Sequence, residues 1–100
     1  MEKPKLNSQG RIFEIIRLLC DNHVSGLANK EIAARLKTSE ANICRDMALF
    51  KGNDWVVQGS GARWRLSPAF GGLAGRIMRS YQEARLRLTE EEARYASEMQ

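Results

Sequence analysis

Two amphipathic segments separated by only two residues constrain this chain more than any other feature. The first, "NKEIAARL" from position 29, gathers Ile32, Ala33 and Leu36 on one face at three- and four-residue steps. The second, "SEANICRDMALF" from position 39, does the same with Ile43, Met47 and Phe50. Each opens on a residue suited to capping a helix, Asn29 and Ser39, and only Lys37 and Thr38 lie between them. Two short helices joined by a tight turn follow.

The flanks extend the pattern. Upstream, Ile12, Ile15, Ile16 and Leu19 predict a helix from Ser8 to about Asp21. Phe13 and Cys20 add a second apolar line, so that helix is expected to be covered on two sides. Downstream, "GNDW" stops the third helix, and "WVVQ" and "RWRL" read as short strands joined by the turn "GSGA". Pro68 is expected to end the second strand, and a longer helical pattern starts at about Gly72. There Leu73, Ile77, Tyr81, Ala84 and Leu88 form one stripe. "TEEE" at 89–92 reads as a capping box, which predicts a new helix or a bend, and the polar end is expected to fray.

A mainly α fold with a small β-hairpin results: a flexible arm over 1–7, a compact domain over 8–68 and a C-terminal helical extension over 69–100. The order helix, short helix, helix, hairpin is that of a winged helix-turn-helix. With 100 residues and 43% hydrophobic content, one modest core is the expectation. There is no long apolar run and no secretory signal pattern, so a soluble cytoplasmic protein is expected.

Charge is unevenly spread. The net charge is +4, and residues 1–66 hold eleven Lys or Arg against seven Asp or Glu, whereas residues 67–100 hold five of each. A basic first two thirds suits a polyanion. Cys20 and Cys44, with His23 as the only histidine, are too few for a zinc site or a disulfide framework, and both thiols are expected to be buried or half-buried. No nucleophile–base pair, phosphate loop or metal cluster stands out, so neither catalysis nor a cofactor is expected.

The run "GLANKEIAARLKTSEANICRDMALFKGNDWVVQGSGARWRLSPAF", residues 26–70, resembles the DNA-binding domain of the IclR family of bacterial regulators and, more loosely, the MarR-type winged helix. Ala33 corresponds to the small residue packed between the two motif helices. Trp55 and Val56 fall where the family opens its wing. The resemblance implies sequence-specific binding to double-stranded DNA by a small transcriptional regulator, of a kind also found on phages and mobile elements. It departs from the family at Lys37 and Asp54, which stand where glycine is usual. A positive φ at Lys37 costs roughly 1 kcal/mol. The family's effector domain has no counterpart in the last thirty or so residues, so no small-molecule effector is implied.

On a helical wheel centred on Ile43, the outward face of the second motif helix holds Ala41, Asn42, Arg45, Ala48 and Leu49, with Cys44 at its edge. Arg45 suits guanine, Asn42 adenine and Ala41 a thymine methyl. Lys30, Lys37, Thr38 and Ser39 suit phosphate. Arg63 and Arg65 are placed on the wing, against backbone or minor groove, with Trp64 turned to the core. Leu49 is expected to meet the C-terminal helix or a second subunit.

Asp46 lies about 60° from the buried centre of the same wheel and requires an internal partner, either a backbone N–H or one of Arg11, Arg17, Arg35, Arg63 and Arg65. The stripe Leu73, Ile77, Tyr81, Ala84, Leu88 is expected to pair with a second copy, since winged-helix repressors commonly bind two half-sites, with packing on its own domain as the alternative. The alternative function is a winged-helix protein-interaction module in a replication or transposition assembly.

Overall fold

A computed structural model describes residues 6–100; most of the arm expected over 1–7 lies outside them. The elements in chain order are α1 (Ser8–Asp21), α2 (Asn29–Leu36), α3 (Glu40–Gly52), β1 (Val56–Gln58), a 3-10 turn (Ser60–Ala62), β2 (Trp64–Leu66) and α4 (Pro68–Glu98). The protein is thus mainly helical, with a two-stranded antiparallel hairpin and a long C-terminal helix. It divides into two compact units, one ending at Phe70 and the other spanning Gly71–Gln100.

The first unit is built around one apolar core. Ile15 and Leu19 of α1, Ile32 and Ala33 of α2, Ile43, Met47 and Phe50 of α3, and Val56, Trp64 and Leu66 of the hairpin are all buried. The helical members are residues that the three- and four-residue spacings place inward, while Ile12, Ile16 and Leu36 of the same stripes are half-buried against this core. Burying each large aliphatic side chain contributes about 1.5–3 kcal/mol before entropy is counted. Phe13 and Cys20 are exposed, so α1 is covered on one side only, and Cys44 is exposed as well. The expectation of buried or half-buried thiols is therefore corrected.

Local chemistry sets the helix ends. Asn7 caps α1 by accepting from the Gly10 N–H at 2.7 Å. Ser39 caps α3 by accepting from the Asn42 N–H at 3.1 Å. The cap of α2 is Ala28, not Asn29. Glu31 instead accepts from the Ala28 N–H at 3.1 Å, while the Asn29 side chain accepts from the indole N–H of Trp64 at 2.8 Å. The buried indole needed an acceptor and took the one that sequence alone assigned to the cap.

Lys37 closes α2 in the left-handed conformation with φ 54°, and Asp54 leaves α3 with φ 60°. Both are the positions where the family resemblance placed glycine. The hairpin pairs Val56 with Leu66, Val57 with Arg65 and Gln58 with Trp64. Leu27 joins the hairpin edge by exchanging two hydrogen bonds with Trp64, at 3.1 and 2.8 Å. Gly26, at φ +69°, makes this approach possible, because a Cβ there would stand 2.7 Å from the Trp64 carbonyl oxygen.

α4 starts at Pro68 rather than near Gly72. The Ser67 hydroxyl accepts from the Phe70 N–H at 3.1 Å, and proline is well suited to the first helical position. Within the first unit, Phe70 packs against Trp55 with ring centroids 5.1 Å apart. In the second unit the helix runs on to Glu98 without the break or the frayed end expected. Thr89 does not cap a new helix: its hydroxyl donates to the Arg85 carbonyl at 2.9 Å, one turn back along the same helix.

Candidate nucleic-acid interface

The turn between α2 and α3 organises a surface that carries Lys30, Lys37 and Arg45. With Lys37 left-handed, the Thr38 N–H reaches the Ala33 carbonyl at 3.0 Å and finishes α2, and the chain enters α3 one residue later at Ser39. Ala41, Arg45, Ala48 and Leu49 then face outward and are exposed, and Asn42 is half-buried. The wheel-derived outward face is therefore the exposed face. Lys30, Lys37 and Ser39 are exposed around it, and Thr38 is half-buried.

Asp46 occupies the flank of α3 that packs into the domain and is buried. Its carboxylate accepts from Arg11 of α1 through two N–H groups, Nε to Oδ2 and Nη2 to Oδ1, the latter at 3.1 Å. Arg11 was one of the five arginines that sequence put forward. The hydrogen bond to Asp46, followed by its charge, raises the Arg11 guanidinium further above its ordinary value. The pair ties α3 to α1 at mid-helix.

This pairing changes the electrostatics of the outward face. Residues 29–52 carry five cations, Lys30, Arg35, Lys37, Arg45 and Lys51, against three acids, Glu31, Glu40 and Asp46. Two of those acids are neutralised from within, Asp46 by Arg11 and Glu31 by Arg63. Among the described residues Glu40 is left as the one acid of the segment without an ion pair, so the net field is positive.

Arg63, expected on the wing, is half-buried and makes several contacts within the fold. Its Nε donates to the Ser25 carbonyl and its Nη2 to the Gly26 carbonyl, both at 3.0 Å, and Nη1 lies 2.9 Å from Glu31 Oε1. The guanidinium clamps the α1–α2 loop to the start of β2, a structural role. No local sequence pattern pointed to it, because the partners lie more than thirty residues away. The Ala28 N–H, with the Arg63 charge adding to it, holds the Glu31 carboxyl below its ordinary value.

Arg65 is exposed and sits opposite Val57. With Val24, Ser25, Gly59, Ser60 and Arg63 it lines a shallow depression of about 300 Å³. Trp64 points the other way and is buried, as expected. Leu49 is 56% exposed and borders an apolar depression of about 260 Å³ lined by Ile12, Phe50, Asn53 and Trp55, all within the first unit.

In the second unit, α4 buries no residue. Leu73, Ile77, Tyr81 and Leu88 are exposed and Ala84 is half-buried. No helix is long and apolar enough to cross a membrane, and no group of three metal-ligating side chains occurs among the described residues. The sequence matches no protein-family model, no curated protein and no solved structure.

Proposed function

We propose that this protein is a small, non-enzymatic transcriptional regulator that binds double-stranded DNA sequence-specifically through a winged helix-turn-helix. In this reading α3 enters the major groove, and the segment 55–66 lies along backbone or minor groove as the wing. The observation that carries it is the exposed, net cationic face of α3, with Ala41, Asn42 and Arg45 in its first two turns. Base-reading helices contact DNA through this end. Lys30, Lys37, Thr38 and Ser39 surround it as phosphate contacts, and Arg65 serves the wing. The Leu27–Trp64 pairing adds a third extended segment to the hairpin edge, which fits a wing braced against the helices.

Selection of bound duplexes from a random pool tests the reading directly. A consensus should emerge, and affinity should fall steeply with salt. Arg45→Ala should relax the preference at one base pair, whereas Lys37→Ala should weaken all sequences alike. Failure to bind any duplex better than about micromolar at low salt would defeat the proposal.

A second copy is the proposed partner of the α4 stripe, since Leu73, Ile77, Tyr81 and Leu88 lie exposed along one line around Ala84. A monomer in sedimentation at tens of micromolar defeats that part. The apolar depression beside Leu49 favours a second reading, a protein-interaction module in a replication or transposition assembly. That reading prevails if duplex DNA is ignored.

A further inference from the structure

Resting on the DNA-binding reading above, we propose that Asn42 is a positioning residue that holds Arg45 for guanine and does not itself read a base. The Asn42 carboxamide is engaged at both ends. Its Nδ2 donates to the Thr38 Oγ1 at 2.9 Å, and its Oδ1 accepts from Arg45 Nη2. The orientation of the amide is fixed by chemistry: a flipped group would set its NH₂ against the Arg45 donor, and a guanidinium cannot accept. Asparagine reads adenine through one Nδ2 hydrogen and one Oδ1 lone pair. One of each is still free, but the amide plane is already set by Thr38 at one end and Arg45 at the other, so turning its edge to adenine competes with holding Arg45.

The relay begins in the backbone. Lys37 in the left-handed conformation delivers the Thr38 N–H to Ala33 and so holds the Thr38 backbone at the end of α2. Thr38 anchors Asn42 one helical turn on, and Asn42 anchors Arg45 three residues further. A guanidinium has five donors. One serves Asn42, which leaves enough for the two-point contact with guanine O6 and N7. Arg45 is otherwise an exposed, flexible side chain, and holding it in advance reduces the ordering cost of binding.

The test uses the full chain, with Asn42→Ala, Arg45→Ala and the double variant measured on the selected duplex and on duplexes altered at each base pair. Alanine is a good helix former, and the Asn42 N–H still reaches Ser39, so unchanged melting is expected. Asn42→Ala should reduce discrimination at the guanine contacted by Arg45 by about tenfold and at no other position. In the Arg45→Ala background it should change binding less than about twofold. A purely structural role would weaken all duplexes equally. In the DNA-free protein, hydrogen exchange at the Arg45 guanidinium should be slower than at Arg65 and should speed up in Asn42→Ala.

If a duplex is selected but Asn42→Ala relaxes a separate adenine, or its effect simply adds to that of Arg45→Ala, the positioning role is overturned and the DNA-binding reading stands. Arg45 exchange unaffected by Asn42→Ala also overturns it. If no duplex is selected, the DNA-binding reading falls and takes this inference with it.

Discussion

Arg11→Ala should be among the most destabilising single changes at a charged residue of the first unit. The variant leaves the Asp46 carboxylate, with its side chain 9% exposed, without its two guanidinium hydrogen bonds. Losing one partner of a well-buried ion pair costs about 3–5 kcal/mol, and an unsatisfied buried polar group about 1–3. The Arg11 side chain is itself 12% exposed, so water can reach the edge of the pair and the loss falls where the two ranges meet, about 2–3 kcal/mol. For a unit of this size that corresponds to a melting temperature lower by roughly 10–15 °C. Asp46→Ala should cost less, about 1–2 kcal/mol, because the long arginine stem can swing its charge into solvent whereas the short aspartate cannot. Replacing both, with Arg11→Met and Asp46→Leu, should recover most of the loss. Urea unfolding followed by tryptophan fluorescence isolates the first unit, since Trp55 and Trp64 both pack in or against its core. Arg11→Ala within about 0.5 kcal/mol of the parent, or Asp46→Ala costing more than Arg11→Ala, would refute this reasoning.

Three further outcomes follow from single positions. Gly26→Ala should destabilise by more than about 2 kcal/mol in the same assay, because its Cβ would meet the Trp64 carbonyl at 2.7 Å on a backbone already at φ +69°. Lys37→Gly should do the reverse, stabilising by about 1 kcal/mol by relieving a left-handed residue, while duplex binding weakens and its salt dependence loses about one unit of slope. Glu31 sets a pH dependence. Its folded-state pKa is held below its ordinary value of 4.5, so the unfolded chain takes up the proton first as pH falls. The stabilisation is complete above that value and is lost as pH drops through the folded-state value. Acid unfolding of Glu31→Gln should therefore be shallower over that range.

The features legible in the sequence were those decided within one helical turn or one strand step. Ile32, Ile43 and Met47 are inside because their spacing puts them on one face. Ser39 caps α3 because its hydroxyl reaches an N–H three residues on. The strains at Lys37 and Asp54 were visible through the family resemblance, as glycine positions filled by other residues. The outward set Ala41, Asn42 and Arg45 followed from the same wheel. Local signals also misled where two were available: the T-x-x-E pattern at Thr89 is a cap only if a helix begins there, and α4 was already continuous.

What sequence alone determined is therefore the element order, the inward faces and the candidate surface of α3, since these rest on contacts between residues a few positions apart. Tertiary structure alone decided which of five arginines neutralises Asp46, that Asn29 serves the Trp64 indole rather than a helix end, and that Arg63 clamps the α1–α2 loop. Each of those partnerships joins groups more than thirty residues apart. Their pairing was set by the packing of α1 and the hairpin against α2 and α3, which brings one donor and one acceptor together where the sequence offered several.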